Sequence, residues 1–340
     1  MIDSSRIQYW ASPTQEQIGQ TVQVFLKNMG APTLIHLSGR QSNRCRFIST
    51  LLHGNEPSGV RAFHRWLQQE TVPEVDIYCF IGAVQTALID PLFSCRHRPQ
   101  DRDLNRCFKP PFDDDQGKLA EAFLQILDQK KPEALIDIHN TSGMGPAFSV
   151  ASKQDAAHEA LTSLFTERML ITDLKLGALF EYSERNVPTV TIECGGSQDP
   201  RSDDIAYEGL LRYTREDSVL QPIETDWPLE VLHHPVRLEL QDGAEIRYRD
   251  HRDPLADLTL PPDVEHYNFG EVTPDTLLGW INPESWHKLL VRAPDGTDIK
   301  QQLLQIKGDG LYPADKLKLF MITTNPSIAK SDCVFYAVKS

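Results

Sequence analysis

Short apolar runs separated by helical patterns constrain the fold of this chain more than any other feature of its sequence. The runs are rich in β-branched residues and end at turn residues, which is typical of buried strands. They cover residues 32–39, 44–52, 75–83, 134–140 and 188–196. Helical apolar spacing covers residues 14–28, 57–69, 118–129, 155–167 and 203–214. Strands that alternate with helices predict an α/β domain with a mixed, mostly parallel sheet flanked by helices.

The pattern changes near residue 225. Residues 236–250 and 288–313 are short alternating segments interrupted by Asp-Gly pairs, which is typical of β-hairpins. We therefore predict an α/β domain over residues 1–225 and a smaller β-rich domain over residues 226–340. A chain of 340 residues is long enough for both.

Charge and hydrophobicity exclude several classes of protein. The net charge of −14 argues against nucleic acid or an anionic membrane as a partner, because phosphate binding needs a broad basic surface. No apolar stretch approaches the roughly 18 residues that span a bilayer, and no secretory signal is visible. Six scattered cysteines without a Cys-x-x-Cys pair indicate reduced thiols. We expect a soluble cytoplasmic protein, and homo-oligomerisation stays open.

Reactive side chains lie at the ends of three predicted strands, where ligands of an open α/β sheet bind. His53 and His139 each follow an apolar run, and Glu193 lies inside a third. Glu56 follows His53 by three residues, so its carboxylate and the imidazole point the same way on a first helical turn. A catalytic zinc takes three nitrogen or oxygen ligands plus water. The pattern therefore predicts His53, Glu56 and His139 as zinc ligands.

Asp137 precedes His139 by two residues, so both side chains lie on the same side of the strand. It is a candidate for the carboxylate that orients a ligand histidine. Chance alone often produces a His-x-x-Glu pair, and a strand-end histidine is more often hydrogen-bonded in place than bound to metal. The conjunction of His-Gly-Asn-Glu after one strand with Asp-Ile-His-Asn on another favours the metal site.

An arginine-rich segment, residues 95–108, stands out in this acidic chain. For any single arginine, a solvated basic loop is the simpler interpretation. Together with Asn105, the cluster suits a bound carboxylate, because a guanidinium matches that group with two parallel hydrogen bonds. An arginine near the metal would also stabilise an oxyanion.

Glu193 is a carboxylate within an apolar strand, which is costly unless the group is used. Near a zinc-activated water it would act as the general base and then deliver the proton to the leaving nitrogen. The alternative interpretation is a buried salt bridge with one of the arginines.

Four motifs, in this order and spacing, resemble those of the aspartoacylase and succinylglutamate desuccinylase family, which is related to the zinc carboxypeptidases. The motifs are His-Gly-Asn-Glu, Asp-Leu-Asn-Arg, Asp-Ile-His-Asn-Thr and Ile-Glu-Cys-Gly. The resemblance extends from His53 to Glu193 and continues more faintly over residues 294–314. It implies a zinc-carboxypeptidase-like fold.

The resemblance also implies a role for each matched residue. His53, Glu56 and His139 would bind one zinc ion per chain, and Glu193 would activate the water. Arg106 would polarise the scissile carbonyl and stabilise the tetrahedral oxyanion.

Substrate binding in the family relies on further polar side chains. Arg98 and Asn105 would help to bind a substrate carboxylate. Aspartoacylase also places an arginine and a tyrosine upstream of its catalytic glutamate, and here only Tyr182 and Arg185 lie nearby. Arg96 and Arg102 have no clear counterpart in the family.

These observations predict a zinc-dependent hydrolase that cleaves the amide bond of a small N-acyl amino acid or a related anionic N-acyl compound. The β-rich domain would narrow the entrance to the cleft. One alternative is a zinc carboxypeptidase that acts on peptides or cell-wall fragments. Another is a catalytically silent protein that binds an acidic metabolite.

Overall fold

A computed structural model shows the architecture of the chain and describes residues 6–185, 187–221, 228–293, 296–331 and 333–339. The chain divides into two compact units, Met1–Asn140 with Ala147–Val231 and Thr141–Pro146 with Leu232–Ser340. The predicted domain boundary between residues 225 and 226 lies outside the described residues. The cleft-narrowing role of the C-terminal domain stays a prediction. Within the described ranges, no helix is both long and apolar enough to cross a membrane.

The N-terminal unit is built on a large mixed sheet. Its strands are β1 (Gln8–Ala11), β2 (Thr33–Leu37), β3 (Gln41–Thr50), β4 (Val75–Ile81), β5 (Ala134–Thr141), β6 (Phe148–Ala151), β7 (Arg168–Ile171), β8 (Thr189–Gly196) and β9 (Glu230–His233). Their order across the sheet is β1-β2-β4-β3-β5-β8-β6-β7-β9. Parallel pairs are β1–β2, β3–β4, β3–β5 and β6–β7, whereas β2–β4 and β6–β8 are antiparallel. The predicted mixed α/β fold is confirmed.

Helices flank this sheet. They are α1 (Gln15–Ile18), α2 (Val22–Met29), α3 (Ser58–Leu67), α4 (Val84–Ala87), α5 (Asp115–Lys130), α6 (Ala156–Ser163) and α7 (Pro200–Arg215). Two 3-10 helices cover Leu104–Arg106 and Leu179–Arg185. The single helix predicted over residues 14–28 is in fact α1 and α2. Gly19, with φ of 64°, ends α1, and Thr21 caps α2.

Alternate residues of the central strands face two separate apolar cores. Ile48 and Ile136 pack in a core with α2, α3 and α7. Phe47 and Leu135, their chain neighbours, pack against α5 around Phe123. Burial on both faces explains why these strands are continuous apolar runs.

The C-terminal unit is β-rich. Its strands are β10 (Val236–Leu240), β11 (Ile246–Tyr248), β12 (Leu258–Leu260), β13 (Glu271–Val272), β14 (Gly279–Ile281), β15 (Leu289–Val291), β16 (Leu304–Lys307), β17 (Gly310–Pro313), β18 (Leu317–Phe320) and β19 (Phe335–Lys339). They form two sheets, in the orders β13-β18-β19-β10-β15 and β11-β12-β14-β17-β16. Helices α8 (Lys300–Leu303) and α9 (Pro326–Ser331) and the 3-10 helices Val264–Tyr267 and Pro283–Lys288 complete the described part of the unit.

One of the predicted hairpins is present and one is wrong. β16 and β17 pair in antiparallel fashion around Gly308, whose φ is 67°. β10 and β11, predicted as a hairpin, lie in different sheets. Gly243, with φ of 79°, turns the chain from one sheet to the other. Alternation identifies a strand and its buried face, but it does not specify the partner strand.

Candidate metal centre

Parallel pairing of β3 with β5 brings the predicted metal ligands to one edge of the sheet. Thr50 pairs with Ile138, so the turn after β3 lies beside the end of β5. Ligand atoms of His53, Glu56 and His139 all lie within 4.8 Å of one another, and all three residues are buried. The structure therefore brings together side chains separated by as many as 86 residues (139 − 53).

Both imidazoles turn Nδ1 towards the carboxylate of Glu56. Nδ1 of His53 lies 2.9 Å from Oε1, and Nδ1 of His139 lies 2.6 Å from Oε2. Nε2 of His53 faces Oδ1 of Asp103 at 2.8 Å, and Nε2 of His139 faces Oδ2 of Asp137 at 2.7 Å. A carboxylate on the far nitrogen fixes the tautomer and the ring orientation of a ligand histidine.

The chemistry of this cluster fits a zinc ion. Nδ1 of His53 is shielded from solvent and makes no hydrogen bond to any described residue, although an oxygen of Glu56 lies close to it. A buried nitrogen without a hydrogen bond is costly unless a cation occupies its lone pair. Two imidazole nitrogens and one carboxylate form a ligand set that zinc accepts, with one position left for water.

The pKa values of the ligands reflect the close packing of opposite charges. Burial lowers the pKa of His139, but the carboxylates of Asp137 and Glu56 outweigh this and hold it well above its usual value. Burial raises the pKa of Glu56, but His53 and His139 outweigh it and hold the pKa well below the usual range. The carboxylates therefore favour the protonated form of His139, and the histidines favour the ionised form of Glu56.

Glu193 faces the same cluster from β8. It pairs with Phe148 of β6, and its Oε2 atom is shielded from solvent without a hydrogen bond to the described residues. The residue as a whole is only partly buried. Burial of the carboxyl is the largest cause that raises its pKa to about 7, with the negative charge of Glu56 adding to it and His139 opposing. A carboxyl with this pKa can both accept and donate a proton near neutral pH.

Close packing shapes the turn that carries His53 and Glu56. A Cβ atom on Gly54 would lie 2.7 Å from the carbonyl oxygen of Cys95, so no larger residue fits without a backbone shift. The Gly54 N–H donates to the carbonyl of Arg96 at 2.8 Å. The turn is therefore held by the backbone of the arginine-rich segment.

Asn140 joins the elements that carry the cluster. Its Oδ1 accepts from the backbone N–H of Ser58 at 3.0 Å, at the start of α3. Its Nδ2 donates to the carbonyl of Gly195 at 3.0 Å, two residues after Glu193. These bonds fix the end of β5 relative to α3 and β8.

The other predicted site residues lie on the arginine-rich segment. Asn105 accepts from the Leu179 N–H at 3.0 Å, and its Nδ2 lies 3.5 Å from Nε2 of His139. Arg106 donates to the carbonyl of Asn105 at 2.9 Å. Burial raises the pKa of Asp103, but His53, with Arg96 and Arg106 adding to it, outweighs burial and holds the pKa well below its usual range. Arg98 donates to Asp101 at 2.7 Å. Asn105 thus contacts His139, one of the predicted ligands, directly.

Two residues were missed by the sequence reasoning. Asp103 faces His53 as Asp137 faces His139, and its position in the Asp-Leu-Asn-Arg motif was the available signal. Arg96 donates to both Glu56 and Asp103. No sequence signal separates Arg96 from the other arginines of its segment.

Tyr182 and Arg185 serve a different contact. The hydroxyl of Tyr182 donates to Asp128 at 2.9 Å, and Arg185 donates to the same carboxylate at 2.6 Å. Both contacts fasten the 3-10 helix Leu179–Arg185 to α5.

Comparison with known protein families gives a match over the part of the chain that contains the predicted site. Residues 46–214 match the sequence model of the succinylglutamate desuccinylase/aspartoacylase catalytic domain. The comparison with curated protein sequences gives no match.

Solved structures share the fold over most of the chain. The succinylglutamate desuccinylase/aspartoacylase from Rhodobacter sphaeroides superposes with a TM-score of 0.57 at 15% identity, over 90% of this chain and 87% of that one. The product-bound ectoine utilization protein EutE (DoeB) from Ruegeria pomeroyi gives 0.59 at 18%, over 90% and 88%. The succinylglutamate desuccinylase from Chromobacterium violaceum gives 0.53 at 14%, over 92% and 89%.

Proposed function

Because the chain belongs to the succinylglutamate desuccinylase/aspartoacylase family, we propose that it is a zinc-dependent deacylase that hydrolyses the amide bond of a small anionic N-acyl amino acid. The observation that carries this proposal is the approach of His53, Glu56 and His139 to one point, with Glu193 facing them. A purely structural ion-pair cluster would satisfy its own polar atoms. Here Nδ1 of His53 and Oε2 of Glu193 make no hydrogen bond to the described residues.

Hydrolysis needs a proton to move from water to the leaving nitrogen. Zinc held by His53, Glu56 and His139 would supply a Lewis acid that acidifies water and polarises the carbonyl. Glu193 takes the proton from the attacking water and then donates it to the departing amide nitrogen. The products are a carboxylic acid and a free amino group.

Positively charged side chains balance the acidic site and bind the anionic substrate. The guanidinium groups of Arg98 and Arg106 would hold a carboxylate of the substrate and the developing oxyanion. Asn105 contributes through its contact with His139.

Kinetics separate the roles of these two arginines. We expect Arg106→Lys to lower kcat with little change in KM, and Arg98→Lys to raise KM. The opposite pattern would exchange the two roles and leave the proposed reaction in place.

Substrate assays test the proposal itself. The zinc-loaded protein should hydrolyse at least one of N-acetylaspartate, N-succinylglutamate or a related N-acyl amino acid, and Glu193→Gln should lower that turnover by about 10²–10⁴-fold. Turnover of short peptides alone would replace the deacylase with a carboxypeptidase. Tight binding of an acidic metabolite without hydrolysis of any amide would favour a silent binding protein.

A further inference from the structure

We propose that Arg96 is a positioning residue that holds two metal ligands in place with a single guanidinium. The inference rests on the proposed metal centre and assigns a role to a residue outside the matched motifs. Its side chain is 24% exposed, whereas that of Glu56, which it contacts, is 6% exposed.

The guanidinium of Arg96 connects the two carboxylates on either side of His53. Its Nη1 donates to Oε1 of Glu56 at 3.2 Å. Its Nε and Nη2 donate to Oδ2 of Asp103 at 3.2 and 3.0 Å. The other oxygen of Asp103 faces Nε2 of His53 at 2.8 Å. Arg96 therefore orients Glu56 directly and His53 through Asp103.

The backbone of Arg96 acts on the same turn. Its carbonyl accepts from the N–H of Gly54, which lies between His53 and Glu56 in the chain. Arg96 thus contacts the turn through its main chain and Asp103 through its side chain, and Asp103 in turn contacts His53. These contacts form a closed hydrogen-bonded ring. A shift of Arg96 would therefore move two ligands together.

The guanidinium of Arg96 also offsets the repulsion between two carboxylates. Glu56 and Asp103 are both negative and both contact His53, and the guanidinium lies between them. A lysine preserves the charge, but its ammonium is a point charge that lacks the planar, forked donor geometry of a guanidinium. Replacement of Arg96 by lysine thus tests geometry separately from the repulsion between a cation and the metal.

Arg102 provides a matched control in the same segment. It also donates through Nε and Nη2 to one carboxylate, that of Asp114, and also to the carbonyl of Pro111. Asp114 caps α5 and is not one of the clustered ligands. Arg102→Lys therefore disturbs a similar ion pair without reaching the metal ligands.

Zinc affinity, measured by competition with a chromophoric chelator, is the first test. We expect Arg96→Lys to weaken zinc binding by about tenfold or more, as for other partners that orient ligands. At saturating zinc, kcat should fall while KM stays within about twofold, because the substrate contacts remain. Arg102→Lys should keep the wild-type zinc affinity.

Chemical rescue distinguishes a positioning role from a merely structural one. In Arg96→Ala, millimolar guanidinium ion should restore part of the lost kcat, whereas sodium at equal ionic strength should not. If Arg96→Lys binds zinc and turns over like the wild type, or if guanidinium rescues nothing, the role of Arg96 is overturned. If the wild type itself binds no zinc, the proposed metal centre fails first, and the two failures are thereby distinguished.

Discussion

The two units of this protein differ in how many charged side chains they bury and in what compensates each of them. In the N-terminal unit, buried side chains at the sheet edge include His53, Glu56, Asp137 and His139. Among the described residues of the C-terminal unit, Lys300 is the charged side chain that is buried. Its ammonium donates to the carbonyls of Trp286 and Leu289 at 3.0 and 2.7 Å, so its burial is compensated by the backbone.

The difference shows where free energy of folding is given up at the predicted site. Burying a charge costs several kcal/mol unless it is paired and hydrogen-bonded. The core of the C-terminal unit consists of apolar, mostly aliphatic residues. The N-terminal unit accepts that cost at one edge and leaves polar atoms of His53, Asp137 and Glu193 without hydrogen bonds among the described residues. We expect substitutions to affect activity at that edge and stability in the C-terminal unit.

The largest expected effect is on the chemical step. Glu193→Gln removes the proposed proton acceptor but keeps the size of the side chain, so kcat should fall by about 10²–10⁴-fold. Steady-state kinetics on the best N-acyl amino acid would measure this fall. Zinc content and the unfolding midpoint should stay at wild-type values. Unchanged hydrolysis with bound zinc would show that Glu193 is not the base.

The next largest expected effect is on zinc binding, when one of the proposed ligands is removed. His139→Gln removes one of the three proposed protein ligands, and we expect at least a hundredfold weaker zinc binding, measured by chelator competition and metal analysis. His158→Gln is the matched control, because His158 is also buried and paired with a carboxylate, that of Asp155, outside the cluster. Equal zinc loss in both variants would argue for general destabilisation instead of ligand removal.

The pH dependence of the rate should reveal the same base. Glu193 must be deprotonated to accept a proton, so kcat/KM should fall as pH drops through its pKa, by up to tenfold per pH unit. The pKa is about 7 because burial raises it. A bound dication lowers the pKa of a nearby carboxyl, which places this decline at or below pH 7. A decline that persists unchanged in the residual activity of Glu193→Gln would belong to another group.

A smaller, purely structural effect is expected in the C-terminal unit. Lys288 donates to both oxygens of Asp257 at 2.9 Å, and Ser285 and the Glu245 N–H donate to it as well. Burial raises the pKa of Asp257, but these donors outweigh it and lower the pKa to about 2. Against an unfolded value of about 3.9, and after a discount for solvent screening, we expect this carboxylate to stabilise the fold by about 1–2 kcal/mol.

The sign of that contribution sets its pH dependence. A depressed pKa stabilises the fold above the unfolded pKa, so the benefit is present above about pH 4 and is lost as pH falls towards 2. Asp257→Asn should therefore lower the free energy of unfolding by about 1–2 kcal/mol at pH 7 and by less at pH 3. Urea unfolding at both pH values would measure it. A reduced kcat at full zinc occupancy would contradict a purely structural role.

Prediction from the sequence worked best where a local rule determines the structure. The strands β3, β4, β5 and β8 were predicted because burial on both faces makes them apolar runs. β6 and β7, with four residues each, were too short to show a period. α7 begins at Pro200 instead of residue 203, although Asp199 before a proline was an available start signal.

The chain by itself therefore determined the long buried strands of the central sheet, most of the helices and the chemical nature of the predicted ligands, since these follow from residue type and local spacing. Only the tertiary structure decided which side chains meet. Asp103 and Arg96 reach the cluster because a loop folds back on the turn at Gly54, and the hairpin predicted at Gly243 is divided between two sheets. Such contacts depend on packing between distant segments, whose free energy is not encoded in any local pattern.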